Sequence, residues 1–332
     1  MKVIVLISGG LDSLLAAKLM QNQGMDVIGI RFTSPVFGYD RPERRGFNAE
    51  TLAGRLGITL KPVDITDDIL RILKSPRHGF GSNINPCIDC HTTMLIRAKE
   101  MMASLGASFI VTGEVVGQRP MSQGRNTLRM IDKEAGVERL VLRPLSAKVL
   151  EPTEAEEKGW VDRDKLYGIT GRTRREQMDL AAEFGIKEYP NAAGGCLLTD
   201  PSFSRRVKDL RDHEALTEAD VKLLKAGRQF RLTERARLVV GKNFKDDELL
   251  QSLRGPEDVF LEPEEAVSGA SGLGRGDFGD RKTLELAARI VSRYFDKKNS
   301  CCTSRVEVSY KGNKETLEVQ PFTDEEAKQY MV

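Results

Sequence analysis

The sequence predicts an α/β protein: a doubly wound parallel sheet followed by a smaller α+β domain. Three observations carry this. Val3 to Ile7 is an unbroken apolar run, rich in β-branched residues, that ends at once on glycines. That is how a central parallel strand buried on both faces reads. Short apolar runs then alternate with helical patterns to about residue 184, the rhythm of right-handed βαβ crossovers. Beyond residue 233 the pattern changes to an α+β mixture that ends in a β-hairpin. A chain of 332 residues accommodates two such domains. They are placed at 1–190 and 233–332, joined over 191–232 by a cysteine-bearing loop and a basic helical linker.

Composition sets the class. Hydrophobic residues make up 40% and charged residues 30%, as in a water-soluble globular protein. No apolar run approaches the roughly 20 residues that span a bilayer, and no charged-then-apolar leader precedes the first strand. The expectation is a cytoplasmic protein with no membrane partner. Five cysteines do not make a disulfide framework at this length, so their grouping reads as metal or redox chemistry. The net charge of +2 carries no information until its distribution is considered.

The opening strand leads into Ser8, Gly9 and Gly10, and a helix begins near Asp12 or Ser13 with Leu11, Leu14, Leu15 and Leu19 at helical spacing. A strand, a glycine turn and a helix N-terminus make an anion site. Free N–H groups and the positive dipole end face one point, and the glycines let the backbone approach a phosphate. Neither the Walker pattern G-x-x-x-x-G-K-S/T nor the dinucleotide pattern G-x-G-x-x-G is present here. The residues read S-G-G-x-D-S: Ser8, Gly9, Gly10, Asp12 and Ser13. Downstream, 26–32 reads as a second strand, 46–56 as a helix, 58–63 as a third strand, and a short helix follows through Leu73. The loop 33–45, rich in Pro, Gly and Arg, lies at the ligand edge, either over a nucleotide or facing solvent. Strand 108–112 runs into Gly113, whose missing side chain lets the backbone close over an adenine or ribose. The stretch 115–123 offers basic and amide groups to phosphate or RNA, or is a surface loop with a helix N-cap at Ser122. Residues 139–145 read as a fifth strand, and 152–160 and 171–184 as helices. Arg172, Arg174 and Arg175 at the start of the last helix are phosphate contacts or a solvated face.

Cys87 and Cys90 fall at or just before the N-terminus of an amphipathic helix running from Thr92 to about Leu105, where a thiolate is favoured. Their spacing suits a shared metal or a redox pair. Cys196 follows Gly194 and Gly195 and reads as lying on an exposed loop. Three thiolates are one short of a closed zinc or iron–sulfur site, and an open position is a catalytic arrangement. His91 is the alternative fourth ligand, for zinc. The three cysteines are expected to converge near the phosphate loop. The adjacent Cys301 and Cys302 point to opposite faces of an extended chain and read as structural, without a metal.

The S-G-G-L-D-S loop resembles the pyrophosphate-loop motif of the adenine-nucleotide α-hydrolase-like ATPases, which split ATP between the α and β phosphates. With N-P-C-I-D-C-H, T-G-E-V-V-G-Q-R-P-M-S-Q and G-G-C-L-L-T-D-P, residues 1–210 resemble a short ThiI-related tRNA thiouridine synthetase. The resemblance implies that ATP adenylates a uridine carbonyl oxygen and that sulfur then displaces AMP. It implies that Ser8, Gly9, Gly10 and Ser13 hold the pyrophosphate, that Asp12 positions it through Mg²⁺, and that Gly113 borders the nucleotide. In cluster-dependent relatives a C-x-x-C pair and a distant cysteine hold a 4Fe-4S cluster whose fourth iron carries sulfide. That pattern maps onto Cys87, Cys90 and Cys196. A persulfide on Cys196, reduced by Cys90 or Cys87, is the other route. The implied product is 4-thiouridine at tRNA position 8. There is no room before Met1 for the RNA-binding region of the longer relatives, nor a C-terminal rhodanese-like domain. The expected sulfur donor is sulfide or a cysteine desulfurase, and another element is expected to hold the tRNA.

Pro201 to Lys245 holds 12 Lys/Arg against 6 Asp/Glu, with Arg205, Arg206, Lys208 and Arg211 at its start. Such a segment suits a phosphate backbone, or is a charged linker. Beyond it, 236–240 reads as a strand, 246–253 as a helix, 268–279 as a glycine-rich loop and 284–295 as a helix. Residues 305–310 and 315–319 read as a hairpin around Lys311, Gly312 and Asn313. The V-G-K-N-F-K-D-D-E-L-L and V-S-G-A-S segments are similar to the RNA-binding region of NFACT proteins. Three other readings are compatible in part. A sulfur transferase for a small molecule would need no basic tail. An RNA-binding protein keeping a nucleotide fold as scaffold would not need Asp12 and Ser13. An amidotransferase-like ligase would have no use for three loop cysteines.

Overall fold

The structure, a computed structural model, describes residues 1–37, 49–187, 189, 196–214, 216–264, 267–296 and 303–332. It divides into two units, Met1–Thr199 and Asp200–Val332. The elements of the first unit are β1 (Lys2–Leu6), α1 (Leu11–Asn22), β2 (Asp26–Thr33), α2 (Ala49–Arg55), β3 (Leu60–Asp64), α3 (Thr66–Lys74), α4 (Cys87–Leu105), β4 (Ala107–Val111), α5 (Arg125–Glu134), β5 (Val141–Leu142), α6 (Glu154–Glu157) and α7 (Arg175–Glu183).

All five strands run parallel in the order β3-β2-β1-β4-β5. The β-branched run of β1 sits at the centre, where Val3, Ile4 and Val5 are fully buried. The chain winds outward from β1 through β2 to β3, then returns to the other side of β1 with β4. The winding reverses between β1 and β4, and the crevice beyond their carboxyl ends is where a doubly wound sheet takes a ligand. Leu14 and Leu15 of α1, Phe109 of β4 and Leu180 and Ala181 of α7 share one core beneath it.

Several boundaries differ from the sequence reading. Helix α4 begins at Cys87 rather than Thr92, because Pro86 ends the preceding loop and its carbonyl already accepts from the Cys90 amide at 3.0 Å. Strand β5 keeps two residues of the expected seven. Arg139 stands at φ +61°, outside strand geometry, and Pro144 has no N–H for a ladder. Helix α7 starts four residues later than expected, and the N-cap position of α5 is Gly124 and not Ser122, which is buried. The expected helix 46–56 is described as α2 from Ala49, and most of the 33–45 loop lies outside the described residues.

The second unit contains α8 (Pro201–His213), α9 (Glu218–Leu223), β6 (Arg228–Thr233), β7 (Ala236–Val240), α10 (Phe244–Ser252), β8 (Val259–Pro263), β9 (Gly272–Gly276), α11 (Arg281–Ser292), β10 (Ser304–Tyr310), β11 (Asn313–Val319) and α12 (Asp324–Lys328). Six antiparallel strands lie in the order β11-β10-β8-β9-β7-β6. Leu284, Ala287, Ala288, Ile290 and Val291 of α11 pack on one face, while Leu223 and Leu250 pack with Val239, Phe260 and Leu273 on the other. The β10–β11 hairpin turns on Lys311 at φ 48° and Gly312 at φ 80°, two positive values as a tight hairpin requires.

Within the expected glycine-rich loop 268–279 the chain forms β9. A side chain at Gly272 would strike Val291 and one at Gly274 would strike Phe278, both at 2.5 Å, so these glycines serve close packing and not flexibility. Residues 200–232 belong with this unit. Arg231 of β6 pairs with Asp209 at 2.7 Å and Glu214 at 2.8 Å, and Arg237 of β7 pairs with Glu214 at 3.0 Å. Asp220 of α9 bridges Arg237 and Arg275. Among the described residues no helix is long and apolar enough to cross a membrane.

Candidate functional site

Two loops meet at the reversal point. After β1, Gly9 takes φ +80°, which favours glycine. The Gly10 amide donates to Ser8 Oγ at 3.3 Å, and Ser13 Oγ donates to the Gly10 carbonyl at 2.7 Å, closing the turn. Among the described residues no side chain caps the N-terminus of α1 at Gly10, an arrangement suited to an anion. After β4, Gly113 presses on the same turn. A Cβ there would lie 2.5 Å from the Asp12 carbonyl carbon and the Ser13 nitrogen, so only glycine fits. Ser8, Gly9, Gly10, Asp12, Ser13 and Gly113 thus form one surface.

Asp12 is held from a distant part of the chain. Its Oδ2 accepts from Gln118 Nε2 at 2.7 Å and from Arg174 Nη2 at 2.9 Å. Gln177 Nε2 in turn donates to Gln118 Oε1 at 2.9 Å. The sequence reading noted amide and arginine groups in both segments but had no signal for their meeting at Asp12.

Next to this loop stands a buried charge chain that sequence reasoning missed. Glu114 accepts from His91 Nδ1 at 2.7 Å, Thr112 Oγ1 at 3.0 Å and Arg143 Nε at 2.9 Å. Arg143 also makes a bidentate pair with Asp132 at 2.7 and 2.8 Å. Burial alone would raise the Glu114 carboxyl, but Arg143 and His91 outweigh it and hold the group at about 2. The signal available in the sequence was Arg143 itself, a charge set inside the apolar run RLVLRPL. His91, expected as an alternative metal ligand, is engaged with Glu114.

Cys87 and Cys90 lie in the first turn of α4 and not on a loop. Cys196 is brought towards them by its own neighbours: the Leu197 amide donates to the Val36 carbonyl at 2.9 Å, and Asn83 Nδ2 donates to the Thr199 carbonyl at 2.9 Å. Asn85 Nδ2 donates to Cys87 Sγ at 3.4 Å. Two of the three thiols are shifted by burial and by neighbouring sulfurs. Burial pushes the Cys90 thiol well up, with Cys196 and Cys87 adding to the rise. Burial likewise pushes Cys196 to about 11, with Cys87 raising it and Arg119 lowering it.

This corrects one expectation. The helix N-terminus does not make Cys90 a ready thiolate, because burial wins over the dipole. Among the described residues, no three His, Cys, Asp or Glu side chains are arranged to hold a metal ion. The donor set still fits a thiolate-held cluster in kind and number: three cysteines from two segments within electrostatic reach of one another. Cys301 and Cys302, and residues 191–195 before Cys196, lie outside the described residues.

In the second unit, Arg205 and Lys208 are exposed on α8. Arg206 instead donates to the Leu224 carbonyl at 3.0 Å, and Arg211 pairs with Asp212 at 2.8 Å. Two of the four cations at the start of the segment, Arg206 and Arg211, are therefore engaged within the unit. At the start of α10, Lys242, Phe244 and Lys245 are exposed, Phe244 at 74%. Asn243 caps the helix beneath them.

Residues 1–149 match the family described as "Thiamine biosynthesis protein (ThiI)", and residues 227–331 match the family described as "NFACT protein RNA binding domain". The tRNA-specific 2-thiouridylase MnmA of Xanthobacter autotrophicus is 27% identical over 234 residues, 64% of this chain and 55% of that protein. The chain spans about half the length of the curated relatives of this kind that it matches. Among solved structures, a 4-thiouridine synthetase–RNA complex with bound ATP is 20% identical, covering 68% of this chain and 52% of that one, at a TM-score of 0.38. The U34-tRNA thiolase NcsA of Methanococcus maripaludis with its 4Fe-4S cluster is 17% identical, covering 68% and 73%, at a TM-score of 0.33.

Proposed function

We propose that this chain, a ThiI-type domain joined to an NFACT RNA-binding-type domain, is an ATP-dependent tRNA sulfurtransferase. The observation that carries the reading is a phosphate loop and three free cysteines on the same unit, in a chain whose other unit matches an RNA-binding family. A uridine carbonyl oxygen is a poor leaving group. Adenylation makes it AMP, and the loop is suited to bind the departing pyrophosphate. Ser8, Gly9, Gly10 and Ser13 would bind it with backbone N–H and hydroxyl groups at the start of α1, with Gly113 bordering the nucleotide. Asp12 would position it through Mg²⁺.

Cys87, Cys90 and Cys196 would hold a 4Fe-4S cluster, which supplies an iron free of protein for a nucleophilic sulfur. The alternative is a persulfide on Cys196, reduced by Cys87 or Cys90. Arg205 and Lys208, with Phe244 between Lys242 and Lys245, offer charge and a stacking surface to tRNA. The resemblance of residues 1–210 to ThiI-related thiouridine synthetases favours 4-thiouridine at position 8, whereas the MnmA relatives are named for 2-thiolation. The test is release of pyrophosphate and AMP from ATP by the full chain. Release that requires tRNA is expected, and release indifferent to tRNA would contradict the reading.

A further inference from the structure

We infer that helix α7 carries a two-armed clamp, Arg174 and Gln177, that fixes Asp12 so that its Oδ1 alone faces the metal of a Mg²⁺–nucleotide. The inference rests on the reading of the phosphate loop given above. Asp12 Oδ2 accepts two hydrogen bonds, one from Arg174 and one from Gln118, which uses the usual capacity of that oxygen. Asp12 Oδ1 is buried and makes no hydrogen bond among the described residues. A carboxylate loaded on one oxygen and bare on the other is costly unless the bare oxygen has a partner to come. Mg²⁺ takes oxygen ligands in strict octahedral order, so an acceptor whose direction is already set suits it.

Both arms come from one rigid place. Arg174 immediately precedes α7, and Gln177 stands three residues on, the spacing that puts two side chains on one helix face. Leu180 and Ala181 seat the same helix in the core beside α1. The arms differ in kind. Arg174 balances the Asp12 charge directly, across 2.9 Å. Gln177 acts through Gln118 and is neutral, so its hold does not compete with an arriving cation. Gln177 is fully buried and its Oε1 makes no hydrogen bond among the described residues, so a leucine would fill its space at lower cost. Positioning Gln118 accounts for the amide. Arg174, Gln118 and Gln177 are positioning residues, since each acts through Asp12.

The test is calorimetric titration of the full chain with MgATP, metal-free ATP and adenosine, in wild type, Gln177→Leu and Gln118→Leu. The clamp predicts that each substitution weakens MgATP binding about tenfold, leaves adenosine and metal-free ATP within about twofold, and is partly rescued by raised Mg²⁺. Thermal midpoints should stay near wild type for Gln118→Leu, which carries the test if Gln177→Leu does not fold. Unchanged MgATP affinity in a folded variant would overturn the clamp, and so would equal losses for MgATP and adenosine, the mark of a merely structural role. A wild-type chain that binds no ATP would overturn the phosphate-loop reading and the clamp with it.

Discussion

Asp12 and Ser13 occupy the first turn of α1, where Ser13 Oγ donates to the Gly10 carbonyl and Asp12 Oδ2 accepts from Gln118 and Arg174. Replacing Asp12 by Ala leaves Arg174 and Gln118 without that partner, at about 1–3 kcal/mol, and replacing Ser13 by Ala removes one hydrogen bond, worth about 1 kcal/mol, losses that a two-core chain tolerates. Both variants are therefore expected to fold while tRNA-dependent pyrophosphate release falls below a hundredth of wild type. Undiminished release in both would refute the assignment. Glu114 behaves in the opposite way. Its carboxyl is held at about 2, below its ordinary 4.5, by Arg143 and His91 against the pull of burial. A carboxylate depressed on folding contributes stability that is complete above its unfolded value and is lost as pH falls through the folded one. The thermal midpoint should thus drop as pH falls from about 4.5 to 2. Glu114→Gln, which leaves Arg143 with one buried partner, should cost about 3 kcal/mol at neutral pH in chemical denaturation. A variant as stable as wild type would show that Asp132 alone satisfies Arg143.

At the scale of elements, the reversal point depends on the carboxyl end of β4 closing against the amino end of α1. Gly113→Ala places a methyl 2.5 Å from the backbone of Asp12 and Ser13, where neither neighbour can swing aside. Overpacking of this kind costs about 1–3 kcal/mol, and the displaced helix start should weaken MgATP binding in the same titration. Wild-type affinity would mean the two elements slide apart without consequence. On α8 the sequence counted four cations, and the structure leaves Arg205 and Lys208 exposed. Reversing those two charges should weaken tRNA binding and flatten its dependence on salt, because fewer counterions are released. An unchanged salt slope would make α8 a solvated face only. The strands and helices were legible where periodicity was strong, as in Val3 to Val5. They were misread where one residue decides a boundary, as Pro86, Arg139 and Gly124 do. The strand β9 was hidden because its glycines answer to Val291 and Phe278, neighbours that no local pattern reveals.

For the whole molecule, the site residues nearest in sequence were the easiest to read: Ser8 to Ser13 form a turn with its own motif. Contacts over long spans were not legible, since Gln118, Arg174 and Gln177 reach Asp12 only once α7 packs beside α1. The same holds for Glu114 and Arg143, whose pairing joins the ends of neighbouring strands. Cysteine chemistry belongs at this scale too, because Cys196 lies more than a hundred residues from Cys90. After anaerobic reconstitution, iron and acid-labile sulfide should rise together with activity. Replacement of Cys87, Cys90 or Cys196 by Ala should abolish both, while Cys301→Ala and Cys302→Ala should not. Full activity in metal-free protein would leave the Cys196 persulfide as the route. The most direct measurement of the central claim is mass analysis of nucleosides from tRNA incubated with the full chain, ATP, Mg²⁺ and sulfide under anaerobic conditions. A uridine in that tRNA replaced by thiouridine, with its retention time marking the 4-thio isomer and with no product when ATP is omitted, is the predicted result. A tRNA recovered without thiouridine, from protein that binds both ATP and tRNA and carries its full complement of iron and sulfide, would contradict it.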